Sequence, residues 1–299
     1  MRGVWTALVS PFNSSHELDL SAFKKILNDQ REAKVTGVIP CGTTGESPTL
    51  SLAEKKTLIQ TTLQELKGSG VKVVAGTGSN NTSETIEFSR WASDQGVDGV
   101  LLVTPYYNRP SQAGLEAHFL AVADQIKCEV VLYNVPGRTG VSLAAETVAR
   151  LAAHPKIRTL KEASGNMALT SDILDHLSIA GKSMDILSGD DATYLPLLSV
   201  GAVGVISVVS NLFPRAVVAM QAAADRGQFA EARKIHQQYF PLLRDLFIDC
   251  NPVPVKWAMA HVGLCDARTR LPLAPLSAAH QKKVTESLAR CGVKNGSRL

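Results

Sequence analysis

Ile157-Arg158-Thr159-Leu160-Lys161-Glu162-Ala163-Ser164-Gly165 reads as a short buried strand that runs out into a glycine turn. Its apolar and β-branched residues fit a strand of four to eight residues, and a helical pattern follows at 168–177. Lys161 is the residue out of place. Burial disfavours an ammonium, and a neutral amine is a nucleophile that condenses with a carbonyl to give a Schiff base. The plainer reading is a lysine that snorkels out of the strand end. What surrounds the strand has to choose between them.

Working outward, the same unit recurs. Apolar runs fall at 4–12, 37–41, 71–77, 99–104, 129–135, 157–163, 184–189 and 204–210, rich in Val, Ile and Leu on both faces. Helical patterns lie between and after them, at 20–34, 51–67, 82–95, 113–125, 143–153, 168–177, 192–200 and 214–225. Eight strands, each followed by a helix, is the count of an α/β protein built as a (β/α)8 TIM barrel. A doubly wound sheet stays open, because the pattern does not fix closure. After the eighth unit three helices follow without strands, at 228–247, 253–262 and 277–290, punctuated by Pro252, Pro254, Pro272 and Pro275. We therefore expect a catalytic barrel over 1–226 and a C-terminal helical region over 227–299, with a frayed polar tail at 294–299.

The bulk properties exclude several classes. The formal net charge is +4 and the charges are dispersed, so neither nucleic acid nor an anionic membrane is expected as a partner. The N-terminus lacks the pattern of a signal peptide and no run of 18 apolar residues occurs, so no membrane span is expected and the expected location is the cytoplasm. Five cysteines, Cys41, Cys128, Cys250, Cys265 and Cys291, at wide spacings and without CxxC, fit free and mostly buried thiols. The seven histidines form no metal pattern, so no metal site is expected.

In a barrel, the carboxyl ends of the strands and the loops after them build the active site. After the second strand comes Gly42-Thr43-Thr44-Gly45-Glu46-Ser47, with two glycines for close backbone approach and hydroxyls and N–H groups able to hold a carboxylate, or a plain turn into the next helix. After the fourth come Tyr106 and Tyr107, which either pack on a partner, relay protons or cover the barrel mouth. Tyr133 ends the fifth strand and is a plausible acid/base for a lysine amine; Arg138 follows in a Pro-Gly turn that can aim its guanidinium at a carboxylate. The seventh ends in Ser188-Gly189-Asp190-Asp191, read as a narrow site with an aspartate N-cap for the next helix. Gly76-Thr77-Gly78-Ser79-Asn80-Asn81 begins like a dinucleotide fingerprint but has Asn81 at the third glycine. No P-loop and no nucleophile elbow occurs. Lys256 is a rival buried lysine, away from any strand end.

Together GTTGE, TPYYNRPSQ, YNVPGRTG, LKEASG, SGDD and GVISV, with Asn251-Pro252-Val253-Pro254-Val255-Lys256-Trp257, resemble the dihydrodipicolinate synthase / N-acetylneuraminate lyase family of pyruvate-dependent class I aldolases over nearly the whole chain. The resemblance implies Lys161 as the Schiff-base lysine and Tyr133 as the proton-relay phenol. Thr44 or Thr43 would link Tyr133 to Tyr107 of a neighbouring subunit, in a dimer or a dimer of dimers. Gly189 and the Ile206 backbone resemble the remaining active-site contacts. Arg138 in GRTG and the double threonine resemble the synthase branch, in which pyruvate condenses with aspartate semialdehyde at the entry to lysine and diaminopimelate synthesis. A sugar-acid lyase of the same family is the alternative, and a non-catalytic barrel that binds small acids is a remote one. The family uses no cofactor, since the imine is the electron sink. Lysine-inhibited members bind lysine through residues matching Ser47, Asn80, Glu84 and Tyr106, all present here. Two histidines are common in the helix after that loop; here Leu52 and Lys55 stand there, with Pro48 just before, so feedback inhibition is expected to be weak or absent.

Overall fold

The computed structural model describes residues 1–293. The polar tail at 294–299, expected to fray, lies outside the described residues. Eight strands close in chain order into a barrel: β1 (Gly3–Ala7), β2 (Gly37–Ile39), β3 (Lys72–Gly76), β4 (Gly99–Val103), β5 (Glu129–Asn134), β6 (Ile157–Glu162), β7 (Asp185–Ser188) and β8 (Gly204–Ser207). β1 pairs with β2, and β3 through β8 pair in sequence, all parallel. Closure rules out the doubly wound sheet.

The helices are α1 (Leu20–Glu32), α2 (Leu52–Glu65), α3 (Thr82–Asp94), α4 (Gln112–Asp124), α5 (Pro136–Thr139), α6 (Ala145–Leu151), α7 (Met167–Ile179), α8 (Tyr194–Ser199), α9 (Pro214–Asp225), α10 (Phe229–Asp245), α11 (Val253–His261) and α12 (Ala278–Arg290). Their starts follow from side chains that take up free backbone N–H groups. Ser51 and Glu54 form a reciprocal capping box at α2, and Asp19, Asn81, Ser111, Asn166 and Ser277 cap α1, α3, α4, α7 and α12. Among these caps, Asn81 explains one sequence feature: where a dinucleotide fingerprint would need its third glycine, this chain needs a helix cap. Gly78 answers to packing as well, since a Cβ there would lie 2.6 Å from the Val103 nitrogen.

The apolar runs overshoot the strands. The run at 4–12 leaves the ladder after Ala7, and the Val9 N–H then donates to the Asn211 side chain at 3.2 Å. The run at 204–210 leaves it after Ser207, whose hydroxyl accepts from the Ser210 N–H at 2.9 Å and opens a 3-10 turn over Val209–Asn211. These segments are buried, which is all that an apolar run reports.

The chain gathers into two compact units. One comprises Met1–Gly3 and Lys72–Ile206, with β3 to β7 and α3 to α8. Its strands are buried on both faces: in β5 and β6, Val130, Val131, Leu132, Ile157 and Leu160 have no exposed surface. The other comprises Val4–Val71 and the chain from Ser207 onward, with β2, α1, α2 and α9 to α12. There α10 packs on α9 and α12, and α12 packs on α11, which forms the expected helical region. All five cysteines are free, but only Cys41 and Cys291 are buried and Cys250 is exposed, so the expectation of mostly buried thiols is corrected.

Candidate active site

In the first unit, β5 and β6 pair with Tyr133 opposite Lys161 and Asn134 opposite Glu162. Successive side chains of a strand alternate between faces. Lys161 therefore sits beside Tyr133, with Nζ 4.0 Å from the ring centroid, while Glu162 faces away. The Glu162 carboxylate is satisfied on its own side by Asn134 Nδ2 at 2.8 Å and the Ser164 N–H at 2.5 Å. Lys161 and Tyr133 are each 5% exposed. Among the described residues no carboxylate forms an ion pair with Lys161, so nothing holds the amine away from a carbonyl carbon. Gly189, just past β7, leaves the lysine its path: a Cβ there would lie 2.6 Å from Ala163 Cβ and 2.9 Å from Lys161 Cε. Ile206 is fully buried in β8.

Arg138 lies in α5, a single helical turn where the sequence suggests a Pro-Gly turn. Buried hydroxyls hold that turn: Thr104 Oγ1 donates to Thr139 Oγ1 at 3.2 Å, and Thr139 donates to the Val141 carbonyl at 2.9 Å. Arg138 itself is exposed. Tyr107 is 89% exposed and takes φ +74°, inside a γ-turn closed by the Asn108 N–H on the Tyr106 carbonyl at 2.9 Å. A bulky residue at positive φ is strained by about 1–3 kcal/mol, and its surroundings have to impose it. Here Asn80 Nδ2 donates to the Tyr106 carbonyl at 3.2 Å and Asn108 Nδ2 to the Asn80 carbonyl at 2.8 Å. Asn80 and Tyr106 are thus brought together, while the exposed Glu84 carboxylate accepts from Asn81 Nδ2 at 3.1 Å.

Asp190 is not the N-cap that the sequence suggests. That position is Thr193, which lacks a side-chain cap bond, and Asp190 instead accepts from the Thr193 N–H and hydroxyl, one turn earlier.

In the second unit the loop 42–47 closes on itself. The Gly45 and Ser47 N–H groups donate to the Gly42 carbonyl, and the Glu46 N–H to the Thr43 carbonyl. Those donors are spent, which narrows the backbone offered to a carboxylate to Gly42, Thr43 and Thr44. Gly45 is required by backbone packing, since a Cβ would lie 3.1 Å from the Leu8 carbonyl oxygen. At Gly42 a Cβ would meet the Ile39 side chain at an ordinary 3.8 Å, so packing demands a glycine at 45 and not at 42. Thr44 is 3% exposed and accepts a hydrogen bond from Asn251 Nδ2 at 3.0 Å. Thr43 is half-buried. Ser47 and Pro48 form a 3-10 turn with Thr49, and Lys55, on α2, offers its carbonyl to the Cys41 thiol. Burial pushes that thiol up to about 12, against the nearby Lys55 charge.

Glu46 takes φ +54° and buries its carboxylate against Lys256, with Oε1 to Nζ at 2.7 Å; Oε2 accepts from the Arg270 N–H at 2.9 Å. Lys256 also donates to the Ser10 carbonyl at 2.9 Å and stands 4.1 Å from the Phe12 ring centroid. Burial pushes its ammonium down from the usual lysine range, against the pull of Glu46. The rival lysine is thus tied up in an ion pair that fastens α11 to the threonine loop. Asn251 was missed as a functional candidate. Its only signal was its place five residues before Lys256 in the NPVPVK segment. Among the described residues no three His, Cys, Asp or Glu side chains gather as a metal ion would need.

The 4-hydroxy-tetrahydrodipicolinate synthase of Leptospira biflexa is 49% identical over 276 residues, 92% of either chain, and that of Magnetococcus marinus is 47% identical over 289 residues, 97% of either chain. The solved structure of the synthase from Methylacidiphilum fumariolicum SolV superposes with a TM-score of 0.94 at 47% identity, over 98% of this chain and 96% of that one. A monomeric dihydrodipicolinate synthase variant superposes equally well at 37% identity, over 98% and 97%. The model of the dihydrodipicolinate synthetase family matches residues 1–291, and with a closed barrel that sets a buried lysine against a tyrosine at its strand ends, the chain belongs to that family.

Proposed function

We propose that the chain condenses pyruvate with L-aspartate 4-semialdehyde through an imine on Lys161 and yields 4-hydroxy-tetrahydrodipicolinate, the first committed step of lysine and diaminopimelate synthesis. The observation that carries this reading is the buried Lys161 amine, without an ion-pair partner among the described residues and in register with the Tyr133 phenol. The amine adds to the ketone carbon of pyruvate and water leaves. Loss of a methyl proton gives the enamine, which attacks the aldehyde carbon of the second substrate. The substrate amine then displaces Lys161 and closes the ring. Tyr133 moves the protons at these steps.

The roles of the other residues belong to the same proposal and rest on the family resemblance. Thr43 and Thr44 take the pyruvate carboxylate, Gly189 and the Ile206 backbone border the imine, and Arg138 takes the carboxylate of the semialdehyde. The exposed, strained Tyr107 supports a second copy of the chain covering it and joining the proton relay through a threonine. In this reading residues 1–226 are the catalytic barrel, and 227–299 are a C-terminal region that is helical in its described part.

Borohydride with pyruvate, followed by peptide mass spectrometry, tests the chemistry: the label falls on Lys161, and a label on Lys256 or none overturns it. Arg138→Ala tests the substrate: trapping with pyruvate persists while turnover with the semialdehyde is lost. Turnover of N-acetylneuraminate instead would move the chain to the lyase branch. A synthase from Cyanidioschyzon merolae has been solved with lysine bound. In this chain the Lys55 cation would repel the ammonium of a lysine ligand, so we propose weak or absent inhibition; half-inhibition by lysine below about millimolar would contradict this.

A further inference from the structure

We propose that Asn251 is a positioning residue that sets the direction of the Thr44 hydroxyl. This rests on the function proposed above, in which the threonine loop takes the carboxylate of pyruvate.

A threonine hydroxyl has one proton to give and two lone pairs. Asn251 Nδ2 donates to Thr44 Oγ1 at 3.0 Å and fills one lone pair. Thr44 is 3% exposed, and among the described residues its own proton has no acceptor. A buried donor left unused is costly unless something else takes it. The amide therefore forbids the proton its nearest resting place and leaves it for a ligand carboxylate. Were the amide turned over, its oxygen would accept the Thr44 proton and the loop would lose that donor.

Among the described residues, the Thr44 contact is the side-chain hydrogen bond that holds the amide. Asn251 is 5% exposed, and among the described residues its Oδ1 has no partner. The residue is fixed through its backbone at the entry to α11, where the Val253 N–H donates to the Cys250 carbonyl at 2.9 Å. Farther along α11, Lys256 reaches the same loop through Glu46. The loop is thus clamped at two points. Lys256 holds its backbone path, and Asn251 reaches its one buried hydroxyl.

The test compares Asn251→Asp, Asn251→Ala, Thr44→Val and the Asn251→Ala/Thr44→Val double variant in the full chain. It reads kcat and KM for pyruvate, borohydride trapping and melting temperature. An ionised carboxyl at 251 can only accept, so it captures the Thr44 proton; kcat of Asn251→Asp at pH 8 falls about a hundredfold, the scale of one lost preorganised donor. Burial raises the pKa of the introduced carboxyl, and once protonated it donates as the amide does. Its deficit relative to the unsubstituted chain therefore shrinks as pH falls from 8 to 5. Asn251→Ala lowers kcat in the unsubstituted chain and changes nothing further on the Thr44→Val background, because Asn251 acts only through that hydroxyl.

A deficit of Asn251→Asp that is the same at every pH, or additive losses in the cycle, overturns the proposal while pyruvate trapping on Lys161 stands. Absence of trapping in the unsubstituted chain overturns the functional reading and this inference with it. Should Asn251→Asp fail to fold, the cycle alone decides.

Discussion

Lys161 and Tyr133 occupy opposed positions on neighbouring parallel strands, and the lysine Nζ rests 4.0 Å from the centre of the phenol ring. Because strand register sets this pair, both side chains project from one face and the ring keeps its place without its hydroxyl. Tyr133→Phe therefore separates packing from proton transfer. The imine still forms and is still trapped by borohydride, while kcat falls about a hundred- to a thousandfold, the range for a removed general acid/base. Steady-state kinetics run beside peptide mass spectrometry check it. A Tyr133→Phe protein with unchanged kcat would take the phenol out of the mechanism.

Gly189 leaves Lys161 the space it occupies. A methyl group placed there would stand 2.6 Å from Ala163 Cβ and 2.9 Å from Lys161 Cε, closer than carbon atoms approach. Gly189→Ala must push the lysine chain aside or spread β6 from β7, with an overpacking cost of about 1–3 kcal/mol. The expected outcome is a folded protein, a few degrees less stable, in which pyruvate trapping slows about tenfold or more, since small misplacements of a reacting group are expensive. Trapping at the normal rate would show that the amine does not use this path.

The fold was legible because the same grammar repeats eight times. β5 and β6 show through their runs of Val, Ile and Leu, and α2 through Ser51 and Glu54 of its capping box. The strand ends were less so. Val9 and Ser210 look like strand to any count of apolar residues, yet their N–H groups bond to the Asn211 and Ser207 side chains. At the candidate site, Lys161, Tyr133 and Gly189 stand out in the sequence by chemistry and by their place at or just past strand ends. Gly45 is ambiguous in sequence, because a Cβ there would crowd the Leu8 carbonyl and packing alone already calls for a glycine. Asn251 and Thr44 stand 207 residues apart, and only the folded chain joins them.

The Lys256–Glu46 pair makes a prediction about stability. Both side chains are fully buried. Lys256→Met leaves the Glu46 carboxylate without its counter-charge and costs about 3–5 kcal/mol, whereas the double variant Lys256→Met/Glu46→Leu recovers much of that loss. Urea denaturation of the two variants measures the difference. Equal losses in both would mean that packing, and not the stranded charge, sets the cost.

His118 carries a pH dependence whose sign is fixed by burial. It is 5% exposed; Nδ1 is paired with Thr82 Oγ1 at 2.9 Å, and Nε2 has no partner among the described residues. Burial pushes its pKa from 6.5 down to about 4. Between those values the unfolded chain binds a proton that the folded chain refuses. This share of stability is therefore complete above pH 6.5, declines as pH falls toward 4 and changes no further below it. The slope is about 1.4 kcal/mol per pH unit and the whole loss about 3 kcal/mol. His118→Asn keeps an acceptor for Thr82 and cannot titrate, so its stability is flatter over that window by this amount, whatever the carboxylates contribute to both proteins. Urea unfolding at half-unit steps between pH 6.5 and 4 reads the difference directly. Parallel curves for the two proteins would mean that His118 takes up its proton in the folded state as readily as in the unfolded chain.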